Sequence, residues 1–379
     1  MRIALVSTFR ARCGIATHTL DLSEALTYKG IDVLVVAEAK SAGLDETQTT
    51  KVPYERVFDR KYSSSWDKIA PAAKQFGADI LHVQHEGLIF PGDSFRRIAS
   101  QAEKNGIKVV VTFHSIPYFK DRALISPLAS MVDLALSYTE EGFRTLRAAG
   151  FRHAQFIPHG VREYQEKSVH EARRAMDLPR ESFIFSSSGF IGGPKGLVET
   201  LEVLKKVQEK IPDATFIHAG GLNPSMMQSN RPYLAYLDNM IKQLGIRSSD
   251  FVLTGYVPDD LLPIYGQASD MIVLNYYPSG VASASGTFAR AGVSLYRPIV
   301  TVNGTRRVEE AIHGETCWKV PFNNPEKMAE AIVYLYEHPE IQKRLVEGQR
   351  KYVTQNNWLK VAGKHIQLYE RLLGTAQVQ

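Results

Sequence analysis

The residues best suited to chemistry are concentrated in a glycine-rich turn near the middle of the chain. The segment SSSGFIGGPKGLVET, residues 186–200, predicts a short strand, a turn and then a helix that starts near Lys195. Glycine lets backbone approach a ligand closely, and an ammonium group beside a helix start favours an anion. We interpret Gly189, Lys195 and Gly196 as an anion-binding turn, with an ordinary glycine turn and an exposed lysine as the alternative. It is not a P-loop, because Gly196 follows the lysine where that motif needs a hydroxyl residue.

A second candidate lies in the segment NYYPSGVASASGTFARAG, residues 275–292. It places hydroxyl residues at a predicted helix start, where Ser285, Gly286 and Thr287 would offer backbone amides to a phosphate. Ordinary helix capping would explain the hydroxyls equally well. Because two anion-favouring helix starts occur in the same half of the chain, we expect the ligand to be a diphosphate.

The first half of the chain has a candidate glycine turn of its own. Gly14 opens the helix that follows the first predicted strand, with Arg10 and Arg12 just before it. This glycine would let backbone face a ligand, and a purely structural turn glycine is the alternative. The two arginines are candidate contacts for an acceptor or a phosphate.

Histidines end several predicted strands of the first half, namely His85, His114 and His159. A single histidine at such a place is more often a core or hydrogen-bonding residue than a catalyst. Three at strand ends favour a site, because ligands of doubly wound sheets bind beyond the carboxyl ends of the strands. His114 is the preferred catalytic candidate among them, and His85 and His159 are candidate acceptor contacts.

The elements that must position these residues alternate regularly. Short apolar strands and helices follow each other over the first 160 or so residues, and the same alternation restarts near residue 183. Such strands predict parallel sheets that are covered by helices on both faces. A chain of 379 residues also exceeds what one core usually serves. We predict two Rossmann-like α/β domains, residues 1–162 and 175–355, with the amphipathic segment 358–379 packed back on the first.

Composition excludes several classes of function. A net charge of +5 over 379 residues gives little support for a nucleic-acid partner, and two cysteines are too few for a disulfide framework. The chain has neither D-x-D nor H-E-x-x-H, C-x-x-C or G-x-S-x-G, so we expect no metal and no cofactor. The short apolar N-terminus predicts no signal peptide. We expect a cytoplasmic protein, and no basic amphipathic helix argues for binding to a membrane surface.

Several of these segments together resemble the family-4 group of retaining glycosyltransferases of the GT-B type. The resemblance covers nearly the whole chain and is strongest in CGIATHT, VQHEGLIF, VVVTFHS, FIPHGV, GFIGGPKG, TGYVPDDLLPIYGQASDMIVLNYY and SGTFARAGVSLYRPIV. It implies two Rossmann-like domains that face each other across a cleft. The second domain would bind a nucleotide-sugar and the first an acceptor.

The resemblance also implies a role for each candidate. Gly14 matches a glycine loop near the donor phosphates, and His114 matches a histidine that contacts the donor sugar. Lys195 matches a lysine that stabilises the departing diphosphate. The nucleobase and the diphosphate would be held in the second half, by the loop at Tyr256 and Val257 and by the amides of Ser285, Gly286 and Thr287.

Two departures from the family pattern affect this assignment. Phe190 replaces the arginine that the family pairs with the lysine. Ser283 and Ala291 stand where the family has two glutamates, which usually contact the sugar and the ribose hydroxyls. A branch of the family with SGT in this loop is similar. The sequence therefore does not identify the sugar or the base of the donor.

We therefore interpret the protein as a sugar transferase that acts on a nucleotide-diphosphate sugar without a metal and retains anomeric configuration. Its acceptor would be a sugar, a lipid-linked sugar or another small molecule. The main alternative is a non-catalytic GT-B-fold protein that binds a nucleotide or a sugar, or scaffolds a partner. Another GT-B-shaped enzyme, such as an epimerase or a phosphorylase, is a third reading, although nothing in the sequence supports a pyridoxal-phosphate lysine.

Overall fold

The computed structural model describes residues 1–39, 43–45, 49–87, 89–90, 93–117, 119–277, 281–303 and 309–375. The chain divides into two compact units. The first comprises Met1–Gly160, Gly280–Ala284 and Asn356–Gln379, and the second comprises Val161–Ser279 and Ser285–Gln355. No sequence pattern indicated the short return to the first unit just before Ser285.

The first unit is built on a seven-stranded parallel sheet with the order β3-β2-β1-β4-β5-β7-β8. Its strands are β1 (Arg2–Ser7), β2 (Asp32–Glu38), β3 (Tyr54–Phe58), β4 (Ile80–His85), β5 (Lys108–Phe113), β7 (Leu134–Ser137) and β8 (Ala154–Phe156). Its helices are α1 (Gly14–Tyr28), α2 (Ile69–Phe76), α3 (Ser94–Lys104), α4 (Glu140–Ala148) and α12 (Trp358–Leu373). A separate antiparallel pair joins β6 (Ile116–Pro117) to β13 (Val281–Ala282).

The second unit is built on a six-stranded parallel sheet with the order β11-β10-β9-β12-β14-β15. Its strands are β9 (Ile184–Ser188), β10 (Thr215–Ala219), β11 (Phe251–Leu253), β12 (Met271–Leu274), β14 (Ile299–Val302) and β15 (Trp318–Val320). Its helices are α5 (Val169–Ala175), α6 (Leu197–Gln208), α7 (Met227–Gln243), α8 (Leu262–Gln267), α9 (Gly286–Ala291), α10 (Pro325–Glu337) and α11 (Pro339–Asn356).

The predicted fold class is confirmed, since each unit is a parallel sheet whose central strands are buried on both faces. Two local predictions were incomplete. The strand β3, YERVF, was missed, because it lies at the edge of its sheet and has two charged residues, Glu55 and Arg56, instead of an apolar run. The polar stretch between the domains contains α5, which starts with a capping box formed by Ser168 and Glu171.

The last helix, α12, belongs to the first unit. It follows a break at Asn357, whose side chain caps the helix by accepting a hydrogen bond from the amide of Lys360. Its buried face places Trp358, Val361 and Tyr369 in the same hydrophobic cluster as residues of β1 and α1. None of the helices in the described part of the chain is both long and apolar enough to cross a membrane.

Candidate functional site

The glycine turn of the second unit is held in an unusual backbone conformation. Gly189 follows β9 with a φ of +110°, and Gly196 precedes α6 with a φ of +62°. Between them, residues Gly193–Lys195 form a short 3₁₀ turn, so Lys195 lies just before the helix rather than inside it. Residues with a side chain rarely adopt a positive φ, so glycine is needed at both positions.

Neighbouring loops fix this turn from two sides. The amide of Ile191 donates to the carbonyl of Gly221 at 2.8 Å, and the amide of Tyr277 donates to the carbonyl of Pro194 at 3.0 Å. A Cβ added to Gly196 would collide with the carbonyl oxygen of Asn275. The turn therefore owes its shape to the ends of β10 and β12 as well as to its own glycines.

The structure brings together the two segments that sequence analysis proposed for a diphosphate. The Nζ atom of Lys195 donates to Oγ1 of Thr287 at 3.1 Å and lies 4.6 Å from the centre of the Tyr276 ring. A Cβ added to Gly189 would lie 2.9 Å from the same Nζ atom and 3.2 Å from Oγ1 of Thr287. The ammonium group of Lys195 and the hydroxyl of Thr287 therefore lie together beside the Cα of Gly189.

The start of α9 supplies amides rather than an additional free hydroxyl. The side chain of Ser285 is 1% exposed, and its Oγ atom accepts from the amide of Phe288 at 3.1 Å. Ser285 is therefore a helix-capping residue, which was the alternative interpretation of this hydroxyl. The amides of Gly286 and Thr287 belong to the first turn, where helical residues have no acceptor within their own helix.

The loop at Tyr256 and Val257 lies next to the same turn. A Cβ added to Gly221 would lie 2.9 Å from the amide nitrogen of Tyr256, so the two residues are in close contact. Tyr256 is 36% exposed, whereas Val257 is 8% exposed and directs its side chain inward. Of the two, Tyr256 is the residue whose side chain can reach a ligand.

His218 is a site residue that sequence analysis missed. It lies in β10, where its Nε2 atom is 2.9 Å from the carbonyl oxygen of Gly189 and its Nδ1 atom is 2.7 Å from Oγ of Ser187. Burial, and then the charge of Lys195, lower the pKa of this imidazole to about 3. A neutral His218 therefore donates to Gly189 and accepts from Ser187. A histidine among the apolar residues at the end of the strand TFIHA was the signal that could have found it.

In the first unit, His114 lies at the end of β5 within a group of aromatic rings. Its Nε2 atom is 2.9 Å from Oε1 of Gln84, and its ring centre is 4.9 Å from that of His18. Burial, followed by the charges of His159 and His85, lowers the pKa of His114 to about 3. His114 is therefore neutral near pH 7 and suited to hydrogen bonding rather than to carrying a positive charge.

His18 and Tyr138 also belong to this group, and sequence analysis missed both. His18, on α1, is hydrogen-bonded through Nε2 to the hydroxyl of Tyr138. Its ring centre also lies 5.2 Å from that of His159 and 4.9 Å from that of Trp358. Burial lowers the pKa of His18 well below its ordinary value. His18 is therefore neutral near pH 7, and α12 supplies one wall of the group through Trp358.

The other two candidate histidines differ in their surroundings. His159 is buried in this group, with Nδ1 2.7 Å from the carbonyl oxygen of Gly160. His85 packs instead against Phe90, Phe95 and Phe113, and burial lowers its pKa to about 4. His85 is partly exposed and lies against these three rings.

The N-terminal glycine turn is open on its outer side. Gly14 is the first residue of α1, and a Cβ added to it would meet no atom within 4 Å. Arg10 has a φ of +48° and donates through Nη1 to the hydroxyl of Tyr54 at 2.6 Å. Arg12 is exposed. The packing of the protein alone therefore does not require glycine at position 14.

The positions that depart from the family pattern bring no carboxylate to Thr287. Ser283 is nearly buried, and Ala291 packs in the hydrophobic core of the second unit. The nearby carboxylate of Asp259 forms an ion pair with Arg290, with Oδ2 and Nη2 3.0 Å apart. Among the described residues, no group of three or more histidine, cysteine, aspartate or glutamate side chains could hold a metal ion.

Two protein-family models match consecutive parts of the chain. The model described as Glycosyltransferase Family 4 matches residues 13–164, and the model described as Glycosyl transferases group 1 matches residues 168–352. The chain belongs to the family-4 glycosyltransferases. The boundary between the two models falls near the start of the second structural unit.

This glycosyltransferase has distant curated relatives. It is 23% identical to the phosphatidyl-myo-inositol mannosyltransferase of Mycobacterium tuberculosis over 407 aligned positions. This alignment covers 100% of this chain and 99% of that protein. It is 24% identical to the D-inositol 3-phosphate glycosyltransferase of Corynebacterium urealyticum over 209 positions, which is 55% of this chain and 47% of that protein.

Solved structures share its GT-B fold at low sequence identity. The Anabaena protein HepE, crystallised with UDP and glucose, is 13% identical with a TM-score of 0.78, over 98% of this chain and 100% of that chain. Sucrose-phosphate synthase from Thermosynechococcus elongatus is 18% identical with a TM-score of 0.79, over 99% and 100% of the two chains. The enzyme is thus a glycosyltransferase with two Rossmann-like units.

Proposed function

We propose that this glycosyltransferase moves a sugar from a nucleotide-diphosphate sugar to a sugar, a lipid-linked sugar or another small acceptor, without a metal ion and with retention of configuration. The observation that carries the proposal is the hydrogen bond of 3.1 Å between Nζ of Lys195 and Oγ1 of Thr287. It places the cation of the glycine turn at the first turn of α9, where a diphosphate would meet both. The HepE structure with UDP supports the donor class.

In this mechanism, the reaction depends on charge that develops on the leaving diphosphate. As the bond between the sugar and the phosphate breaks, negative charge accumulates on the phosphate oxygens and positive charge on the sugar. Lys195 and the amides of Gly286 and Thr287 stabilise that negative charge in the transition state more than in the bound donor, which lowers the barrier. Gly189 leaves the space beside Lys195 and Thr287 free of a Cβ, and Gly196 allows the turn that carries Lys195 to pack against Asn275.

The acceptor hydroxyl attacks from the face that the diphosphate leaves, and a departing phosphate oxygen takes its proton. No protein base is needed for this step. Tyr256 and Val257 would hold the nucleobase. In the first unit, Gly14 and His114 would contact the donor, and Arg10, Arg12, His85 and His159 remain candidate contacts for the acceptor.

The names of the curated relatives guide the choice of acceptors to test. One acts on phosphatidyl-myo-inositol and the other on D-inositol 3-phosphate. Each of these acceptors carries an inositol ring and a phosphate. We therefore propose to start from inositol phosphates and their lipid-linked forms.

The experiment combines ligand binding with turnover. Melting temperature is first measured with UDP, GDP and ADP and with their sugars, since a ligand that binds only the folded state raises it. Release of the nucleoside diphosphate is then followed with the best donor, with and without EDTA. Lys195→Ala is expected to lower kcat by roughly 10²-fold or more, because it removes one preorganised charge donor.

Lys205→Ala is the matched control, because Lys205 is an exposed lysine on the following helix. A Lys195→Ala enzyme with the turnover of the control would exclude Lys195 from the mechanism. Binding of nucleotides with neither hydrolysis nor transfer across the panel would favour the non-catalytic alternative. Loss of activity in EDTA would contradict the metal-free mechanism.

A further inference from the structure

A chain of buried hydrogen bonds runs from α12 to His114 through two side chains of β4. The Nδ1 atom of His82 is 2.6 Å from the hydroxyl of Tyr369, and the Nε2 atom of His82 is 3.2 Å from Nε2 of Gln84. Gln84 continues the chain through Oε1, which is 2.9 Å from Nε2 of His114. His82, Gln84 and Tyr369 are completely buried, so water does not compete for these bonds.

The direction of this chain follows from the chemistry of the amide. The oxygen of Gln84 can only accept, so the proton of His114 must be on Nε2. The amide nitrogen of Gln84 can only donate, so Nε2 of His82 must be unprotonated. The proton of His82 is then on Nδ1, where it is donated to the oxygen of Tyr369.

A hydroxyl reaches the same nitrogen of His82. Oγ1 of Thr112 is 2.8 Å from Nε2 of His82, and it is completely buried there. A threonine hydroxyl can donate or accept, so with Nε2 of His82 unprotonated Thr112 donates to it. The contact with Thr112 is therefore compatible with the direction that the amide of Gln84 sets.

The opposite direction requires a different orientation of the amide. A proton on Nε2 of His82 would face the amide nitrogen of Gln84, which lies 3.2 Å away and is itself a donor. The amide would have to turn over and present its nitrogen to His114, and the proton of His114 would then move to Nδ1. With the amide as the structure has it, two donors would meet and a buried hydrogen bond would be lost.

We infer that His82, acting through Gln84 and held by Tyr369, sets the tautomer of His114 so that its Nδ1 atom is a hydrogen-bond acceptor. The ligand group that His114 recognises is therefore a hydroxyl that donates a hydrogen bond. His82, Gln84 and Tyr369 are positioning residues. This inference rests on the proposed function only in taking that hydroxyl to belong to the donor sugar.

The test reads the tautomers directly. In the full-length protein with ¹⁵N-labelled histidine, long-range ¹H–¹⁵N correlation spectra should show His114 protonated on Nε2 and His82 on Nδ1. Tyr369→Phe leaves the Nδ1 proton of His82 without an acceptor. In this variant we expect the proton of His82 to shift toward Nε2 and that of His114 toward Nδ1, with kcat reduced about tenfold, the effect of one net hydrogen bond.

Two further variants complete the test. Gln367→Ala changes an exposed residue of the same helix α12, and it should leave the His114 spectrum unchanged. Gln84→Leu cuts the chain, so His114 should lose its exclusive Nε2 protonation and should no longer respond to Tyr369→Phe. If Tyr369→Phe does not fold, Gln84→Leu alone tests whether the chain of hydrogen bonds sets the tautomer of His114.

The results separate this inference from the proposed function. Nδ1 protonation of His114 in the wild-type protein, or an unchanged His114 spectrum in both Tyr369→Phe and Gln84→Leu, would overturn the inference whatever the activity. Normal turnover in His114→Ala would instead contradict the role of His114 in transfer, while the tautomer result would still apply to the folded protein.

Discussion

At the scale of single residues, the position of Lys195 depends on Gly196. This glycine has a φ of +62°, and its Cα faces the carbonyl oxygen of Asn275 so closely that no Cβ fits between them. The obstacle is backbone at the end of β12, which cannot rotate away as a flexible side chain would. Gly196 therefore keeps the turn, and with it the ammonium group of Lys195, against the start of α9.

A Gly196→Ala variant should lose about 2 kcal/mol or more of unfolding free energy, because both the backbone angle and the contact are unfavourable. Gly193→Ala is the matched control in the same turn, since a Cβ there would meet no atom within 4 Å. Chemical denaturation of the two variants measures the difference. Equal stabilities would show that the turn can move away from Asn275 at little cost.

At the scale of elements, α12 completes the first unit from the far end of the chain. Its first residue, Trp358, lies against Gly160 so closely that an added Cβ would overlap the indole ring. The same indole lies 5.6 Å from His159 and 4.9 Å from His18 between ring centres. The helix thus supports the histidine group through an aromatic contact at its start and through Tyr369 near its end.

Gly160→Ala should therefore destabilise the first unit by about 1–3 kcal/mol, the usual cost of adding a methyl group to a packed core. Gly363→Ala, on α12 itself, is the control, because its Cβ would only touch the flexible end of Lys29 at 3.6 Å. Replacement of a helical glycine by alanine should leave stability unchanged or raise it by up to about 1 kcal/mol. Thermal unfolding compares the two variants, and a Gly160→Ala protein as stable as Gly363→Ala would show that α12 can move aside.

At the scale of the whole molecule, buried titratable groups make stability depend on pH in both directions. Burial lowers the pKa of His114 and His218 to about 3 and of His365 to about 4, so the folded state resists their protonation. These histidines cost stability as the pH falls below 6.5. Burial raises the pKa of Glu310 to about 7, so the folded state favours its protonated form.

Glu310 should limit stability on the alkaline side. Its carboxyl is 2% exposed, and its Oε1 atom has no hydrogen-bond partner among the described residues. The folded pKa of about 7 lies above the ordinary value of 4.5. The contribution of Glu310 to stability is therefore fully present below pH 4.5, and it is lost as the pH rises through 7, by up to roughly 3 kcal/mol. Glu310→Gln should therefore raise the apparent melting temperature by several degrees at pH 8 and much less at pH 5.

The exposed Glu315 provides the control variant, Glu315→Gln, which should not change the melting temperature differently at the two pH values. Apparent melting temperatures are the suitable measure, because a chain with two units need not unfold in one step. A Glu310→Gln protein with the same pH dependence as the wild type would mean that this carboxyl is not buried in solution.

Much of the fold and part of the site could be predicted because they depend on local sequence. Apolar runs alternating with amphipathic helices are sufficient for two parallel α/β units, since the period of the apolar residues is itself the signal. The glycine turn at Gly189, Lys195 and Gly196 could be recognised because its backbone conformation depends on the residues themselves, and its role in binding an anion stays a prediction. An edge strand such as β3 escaped notice because only one of its edges is paired, so its sequence lacks the apolar run of a central strand.

Which of these residues act together was decided by tertiary structure alone. Lys195 and Thr287 are separated by 92 positions, and only the parallel order of β9, β12 and β14 brings their loops together. His82 and Tyr369 are 287 positions apart, and the direction of their hydrogen bond depends on every donor and acceptor packed around them. Local sequence determines what conformation a residue can adopt, whereas the partner of a buried polar group is whichever atom the folded chain places within reach.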